Sequence, residues 1–343
     1  MSEQQTLLGL TTAELIARLA EAGQPAFRGR QVAKWIYERG AADFEAMTDL
    51  PKALRAELAE RYRIGRAPVV TRHVARDGTQ KLLLELADGQ RIEAVALPWP
   101  DRVSVCVSSQ TGCAIGCRFC ATGYLGHGRN LSPGEMADQI LAAGEALGRP
   151  ATHAVFMGMG EPLANLGAVL AAIGLWRDEL GLSPRRVTVS TVGLPPAMAR
   201  LAAADVPVTL AVSLHSADDK LRAQLIPTVA RTYSVDDVLA AARAYADQTG
   251  RRVTYEVVLL AGVNDRLRDA ELLARRLKRG EHVNLIPLNA VGESDYRAPY
   301  RDDVARFRSI LEAAGLSVTQ RQARGDDIAG ACGQLRARED ATA

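Results

Sequence analysis

The stretch that decides the fold runs Val103-Ser104-Val105-Cys106-Val107-Ser108-Ser109-Gln110 and leads into Cys113-Ala114-Ile115-Gly116-Cys117-Arg118-Phe119-Cys120. The first half is rich in β-branched residues and reads as a strand. The second is a loop punctuated by Gly116 and carrying three cysteines. Thiolates so close in sequence are expected to converge on one point, and a soft metal centre is what such a point binds. A structural zinc ion would want four protein ligands, and this run supplies three, so His127 or the distant Cys332 would have to complete it. An iron–sulfur cluster held by three thiolates would instead leave one iron open to a substrate or cofactor. Disulfides fit poorly, because five cysteines in 343 residues make no disulfide framework.

Downstream of this stretch, strands alternate with amphipathic helices. Apolar runs recur at 154–157, 187–189, 208–214, 253–260 and 283–288, with helical stretches near 134–147, 165–179, 235–248 and 267–279. Ser132-Pro133-Gly134-Glu135 combines an N-cap, a proline at the first helical position and a glutamate at the third. Ser234 caps the next marked start. Alternating βα units imply a parallel sheet with its site at the carboxyl ends of the strands. Six strands, counting 103–109, are too few for a closed eight-stranded barrel, so a partial barrel or open sheet is expected.

Upstream the chain reads differently. Thr11-Thr12-Ala13-Glu14 is a capping-box signal ahead of Leu15, Ile16 and Leu19. A second helix fits 29–39, with Val32, Trp35 and Ile36 inward, and a third fits 54–62. Residues 1–65 thus form a small helical unit with a basic-aromatic surface. Extended stretches follow at 69–74, 81–86 and 91–97, separated by the turns Asp77-Gly78 and Asp88-Gly89 as hairpins. The implied division is 1–65, a β-hairpin extension at 66–98, a core at 99–328 and a C-terminal loop and tail at 329–343, frayed from Arg336 to Ala343.

Composition is that of an ordinary globule, 48 % hydrophobic and 24 % charged, with a formal charge of +2. No apolar run approaches the ~18 residues of a membrane span, and the start Met1-Ser2-Glu3-Gln4-Gln5 carries no export signal. A reduced, cytoplasmic setting is expected. Local arginine groups, among them Arg28 with Arg30 and Arg321 with Arg324, permit RNA binding without demonstrating it.

Other residues fall at strand ends. Gly158-Met159-Gly160-Glu161-Pro162 follows the strand 154–157; its glycines would let backbone approach a ligand, or serve a tight turn, and Glu161 offers a carboxylate. Ser190 and Ser213-Leu214-His215 end strands on the same rim, although His215 could equally be a satisfied structural histidine. Near the C-terminus, Ala331-Cys332-Gly333-Gln334-Leu335 presents a cysteine in a glycine-rich, accessible loop. Cys106, on a strand, reads first as a buried small hydrophobe.

The C-x3-C-x2-C loop followed by Ala121-Thr122-Gly123 resembles the cluster loop of radical S-adenosylmethionine (SAM) enzymes. The whole chain, from about residue 7 to 335, resembles the RlmN family of radical SAM RNA methyltransferases. The likeness lies in Ala26-Phe27-Arg28-Gly29-Arg30-Gln31, Trp35-Ile36-Tyr37, the 105–110 strand, the cluster loop, Gly158–Pro162, Ser213-Leu214-His215, Val283-Asn284-Leu285-Ile286-Pro287-Leu288-Asn289 and the Cys332 tail. The tail departs slightly, with Ile328-Ala329-Gly330-Ala331 where the family more usually has Asp-Ala-Ala before the cysteine.

The resemblance implies an α/β fold with a partial (βα)6 barrel, a [4Fe-4S] cluster on Cys113, Cys117 and Cys120, and two SAM molecules per turnover. It implies SAM contacts at Gly160, Glu161, Ser190, Ser213, Leu214, His215 and Asn289. Cys332 would carry a methyl group to C2 of an adenine, Cys106 would resolve the protein–RNA thioether and leave a Cys106–Cys332 disulfide, and Glu93 would accept a proton. Read alone, Glu93 is a strand carboxylate expected to be exposed. The implied partners of this monomer are 23S rRNA and tRNA, a flavodoxin- or ferredoxin-type electron donor and a disulfide reductant, with no membrane. Two rival readings are the sibling Cfr family, which methylates C8, and a non-catalytic cysteine-metal module that binds RNA.

Overall fold

A ten-stranded sheet organises the chain, in a computed structural model that describes residues 4–292 and 294–337. The tail expected to fray lies outside the described residues from position 338 onward. Ahead of the sheet come β1 (Gln5–Thr6), α1 (Thr12–Glu21), α2 (Ala26–Tyr37), α3 (Lys52–Arg61) and β2 (Tyr62–Arg63), with β1 and β2 pairing in parallel. Thr11 and Glu14 close the capping box at the start of α1. Leu15 and Leu19 of α1 and Val32 and Ile36 of α2 are buried in the same apolar cluster as the sheet. Trp35 is half-buried where the sequence suggests an inward ring; its Nε1 donates to Asp49 at 2.6 Å, and Arg39 lies 4.1 Å from the ring centroid. Its polar nitrogen needs a partner, which the surface supplies.

Three antiparallel strands follow, β3 (Val69–Val74), β4 (Gln80–Glu85) and β5 (Arg91–Pro98), and β5 pairs antiparallel with β6 (Val103–Cys106). From β6 onward every pairing is parallel. The order of elements is α4 (Ala121–Leu125), α5 (Pro133–Leu147), β7 (His153–Phe156), α6 (Leu166–Glu179), β8 (Val187–Thr191), α7 (Pro195–Ala203) and β9 (Thr209–Ser213). Then come α8 (Asp219–Leu225), α9 (Val235–Thr249), β10 (Val253–Leu259), α10 (Leu267–Arg276), β11 (His282–Pro287), α11 (Arg301–Ala313) and β12 (Ser317–Gln320). Each parallel strand lies beside its sequence neighbour, with no switch of direction in the order. That is the winding of a barrel rather than a doubly wound sheet, and it is a partial one. All seven residues of β10 are buried, as expected of a strand covered on both faces.

The six expected βα strands are present, and β12 adds a seventh that the sequence does not announce. Its residues Ser-Val-Thr-Gln form no apolar run and are largely exposed, because β12 pairs along one edge only. The cap at Ser132 also forms as read, its Oγ accepting the Glu135 N–H while the Glu135 carboxylate accepts the Ser132 N–H. α5 holds the segment that joins β2 to β3: Asp138 pairs with Arg66 and accepts the Ala67 N–H at 2.6 Å.

Candidate active site

The three-cysteine loop sits at the carboxyl ends of the parallel strands. Backbone bonds close it, from Cys113 N to Gly126 O at 2.7 Å and from Gly123 N to Cys120 O at 2.9 Å. Ile115 and Phe119 seat it on a small apolar cluster with Val192, Leu225, Ile226 and Leu288. All three thiols line one cavity of about 150 Å3. Burial pushes the Cys113 thiol up to about 12, and burial followed by repulsion from Cys120, Cys113 and Glu161 holds Cys117 well above its ordinary value. Burial also raises Cys120. Three thiolates can coexist there only with a strong cationic partner.

The sequence suggested that these thiolates meet at one point. All three line the one cavity, and among the described residues no three Cys, His, Asp or Glu side chains are grouped closely enough to ligate a single metal ion. A cluster of several irons takes each thiolate on a different iron, and three thiols around one cavity suit that donor set.

Glu161 lines the same cavity, fully enclosed. Its Oε1 accepts the Leu163 N–H and its Oε2 the Val192 N–H, both at 2.9 Å, while burial pushes its carboxyl up to about 7. The glycines before it have a packing reason. A Cβ on Gly158 would stand 2.7 Å from Ser108 Oγ, and one on Gly160, whose φ is +98°, would stand 2.6 Å from Gln110 Cβ. The turn is thus pressed against the segment that leaves β6, and this close approach suffices to explain both glycines.

Ser190, next to last in β8, and Ser213, the last residue of β9, have their hydroxyls 3.5 Å apart on the cavity wall. His215, with φ of +58°, lines it too; its Nδ1 accepts the Val258 N–H at 3.1 Å, and burial, aided by Arg222, pushes its pKa down to about 3. The ring is therefore neutral with its proton on Nε2, both fixed in place and facing the cavity. Leu214 is different: its side chain is in the apolar core, and its N–H is given to Glu256 O at 3.0 Å.

Cys332 stands where this cavity meets a larger one of about 400 Å3; it lines both, together with Met157, Ile286 and Asn289. Cys106, at the end of β6, lines the larger one and is buried, with its thiol pushed up to about 12 by burial and then by Cys332. The tail is held on three sides. Asn289 Nδ2 donates to Cys332 O at 3.1 Å, the Ala121 N–H to Gly333 O at 2.7 Å and Thr122 Oγ1 to Leu335 O at 2.6 Å. On the third side the Arg336 N–H donates to Glu93 Oε2 at 2.7 Å. Glu93 is fully buried, contrary to the exposed strand carboxylate expected, with Lys81 Nζ 3.4 Å from Oε1. The tail, through the Arg336 N–H, and Lys81 on the neighbouring strand together cover its carboxylate.

Glu256 escaped the sequence reading, and Arg321 entered it only as a member of a local arginine group. Glu256 lines the smaller cavity from mid-β10, its Oε2 accepting from Asn284 at 2.7 Å, and burial pushes its carboxyl up to about 7. A carboxylate inside the run Val-Thr-Tyr-Glu-Val-Val-Leu was the available signal. Arg321, just after β12, lines the larger cavity with Nη1 3.0 Å from Met157 Sδ, and proximity to Cys332 leads the causes that raise its pKa.

A singly wound βα barrel with three thiols around a cavity at its strand ends defines a radical SAM enzyme. The profile described as Radical SAM superfamily matches residues 107–274, and that described as Ribosomal RNA large subunit methyltransferase N-terminal domain matches residues 5–64. A protein from Thermosynechococcus vestitus, named Probable dual-specificity RNA methyltransferase RlmN, is 49 % identical over 331 residues, covering 96 % of this chain and 98 % of its own. One of the same name from Rhodopirellula baltica is 49 % identical over 337 residues, covering 96 % and 90 %. The crystal structure of a radical SAM methyltransferase from Sphaerobacter thermophilus superposes with a TM-score of 0.93 at 47 % identity, covering 97 % of this chain and all of that one. The chain belongs to the RlmN family of radical SAM methyltransferases. Membership implies SAM and a [4Fe-4S] cluster. Among the described residues no helix is long and apolar enough to cross a membrane.

Proposed function

We propose that this protein methylates C2 of an adenine in RNA, at the peptidyl-transferase centre of 23S rRNA and 3′ of the anticodon in tRNA, through a methyl group carried on Cys332. The observation that carries this reading is the position of Cys332 on the shared wall of two cavities. One bears the three cluster cysteines, and the other bears Cys106. The names of the relatives support RNA as the substrate.

In this reading Cys113, Cys117 and Cys120 hold the cluster. Gly160, Glu161, Ser190, Ser213, His215 and Asn289 surround SAM, two molecules per turnover, while Leu214 supports their backbone from the core. Cluster and SAM together supply an electrophilic methyl group and a one-electron route to removing hydrogen from it. Cys332 Sγ bears the methyl carbon, which joins C2 once one of its hydrogens has been removed; the adduct's unpaired electron would leave by the same one-electron route. Cys106 Sγ then attacks Cys332 Sγ, so that a sulfur–sulfur bond forms as the Cys332 sulfur–carbon bond breaks, and the departing carbon keeps the electron pair and takes a proton to become the methyl group. Glu93 takes the proton lost at C2; it shares a face of β5 with Val95 and Leu97, which line the larger cavity. An electron donor of flavodoxin or ferredoxin type and a disulfide reductant complete the cycle.

The proposed division of labour is RNA binding by residues 1–65, a sheet extension at 66–98, the catalytic core at 99–328 and the carrier loop from 329. Neutralising Arg28, Arg30 and Lys34 together is expected to flatten the salt dependence of RNA binding, and an unchanged slope would move the RNA surface elsewhere. Mass spectrometry of digested product RNA is expected to give 2-methyladenosine. Finding 8-methyladenosine would reassign the regiochemistry, and finding no methylated adenosine with reconstituted, reduced enzyme would end the reading.

A further inference from the structure

The larger cavity changes character from floor to mouth. Val95, Cys106 and Ile286, all buried, form an apolar floor. Arg102 and Arg324 flank Trp99 at the mouth, with guanidinium carbons 4.6 and 4.4 Å from its ring centroid. Among the described residues lining this cavity there are three arginines and no carboxylate.

The two mouth arginines are not equivalent. Arg324 is committed: its Nε and Nη2 bond Asp77 at 2.9 and 3.0 Å, and its Nη1 bonds Pro98 O at 2.8 Å. Arg102 pairs loosely with the exposed Asp101 at 3.6 Å, with its own side chain 38 % exposed. Such a surface pair is worth little, so the Arg102 charge remains available. The turn that carries it is rigid. Trp99 N donates to Arg102 O at 2.9 Å, and Arg149 Nη2 bridges the carbonyls of Trp99 and Arg102 at 3.0 and 3.1 Å.

An adenine whose C2 must reach a sulfur on a cavity wall has to leave its base stack. Its base suits the apolar floor. Its flanking phosphodiesters do not, since burying an unpaired charge is costly, and they come to rest at the mouth. A planar guanidinium held on an aromatic face loses little freedom when it binds a phosphate in fork fashion.

We propose that Arg102, held in place by Trp99, binds a phosphodiester adjacent to the extruded adenine, making the turn from Trp99 to Arg102 a phosphate subsite of the RNA site. This rests on the reading of the larger cavity as the base pocket.

The test is binding of a labelled RNA hairpin with an unpaired loop adenine, measured by fluorescence anisotropy between about 50 and 200 mM salt. Arg102→Gln is expected to weaken binding and to reduce the magnitude of the log–log salt slope by about 0.7–0.9, the value of one phosphate contact. Arg102→Lys should keep the slope, and Trp99→Leu should bind more weakly with the slope retained. Arg308→Gln, an exposed cation on α11, is the field control and should match wild type. Arg102→Gln binding with wild-type affinity and slope would overturn the inference, as would an equal loss of slope in Arg308→Gln. Wild-type protein failing to bind the hairpin would instead remove the base-pocket reading beneath it.

Discussion

Glu256 shows how a single side chain couples the site to pH. Burial raises its carboxyl from 4.5 to about 7, against the lowering influence of Arg321 and Asn284. A buried acid with a raised pKa holds its proton more tightly when folded. Its contribution is therefore fully present below pH 4.5 and is lost as pH climbs toward 7. Glu256→Gln keeps an acceptor for Asn284 and removes the titration. It is expected to gain on wild type by up to roughly 3 kcal/mol between those limits, read from urea unfolding of the cluster-free protein at a series of pH values. Parallel stability–pH curves for the two proteins would refute this. The cysteines were legible at this scale because their residue type and spacing announce chemistry before any fold is known. Glu256 and Arg321 were not, since a carboxylate in a strand and an arginine near a terminus acquire meaning only from the cavity that encloses them.

Among the elements, the Gly158–Pro162 turn and the Cys332 tail do most to shape the site. The turn lies against the exit of β6, where Gly160 has φ of +98° and no room for a Cβ beside Gln110. Gly160→Ala therefore combines backbone strain with overpacking and should cost at least about 2 kcal/mol. The check is the urea midpoint, expected to fall with an unchanged m-value, and a midpoint equal to wild type would show that the turn can relax. The motif itself was readable from sequence, but the reason for its glycines was not. Sequence shows a turn after a strand; only the fold brings Ser108 and Gln110 against it. The same holds for β12, a four-residue polar strand recognisable by its partner β11 and by nothing in its own pattern.

Across the whole molecule, the barrel brings together segments more than two hundred residues apart in sequence: Cys106 from β6 and Cys332 from the tail face one cavity. The βα alternation from β6 to β11 made the architecture legible, because period and spacing specify a parallel sheet and its active end. That Cys332 divides two cavities could not be read, since it depends on the tail folding back onto Asn289, Ala121 and Glu93. This division is the central claim, and one comparison tests it most directly. Reconstituted Cys106→Ala and Cys332→Ala proteins are incubated with SAM, reductant and RNA, then run on a denaturing gel. The account predicts that Cys106→Ala accumulates protein cross-linked to RNA, lost on nuclease digestion, while Cys332→Ala forms none. Turnover by Cys106→Ala without an adduct would contradict it.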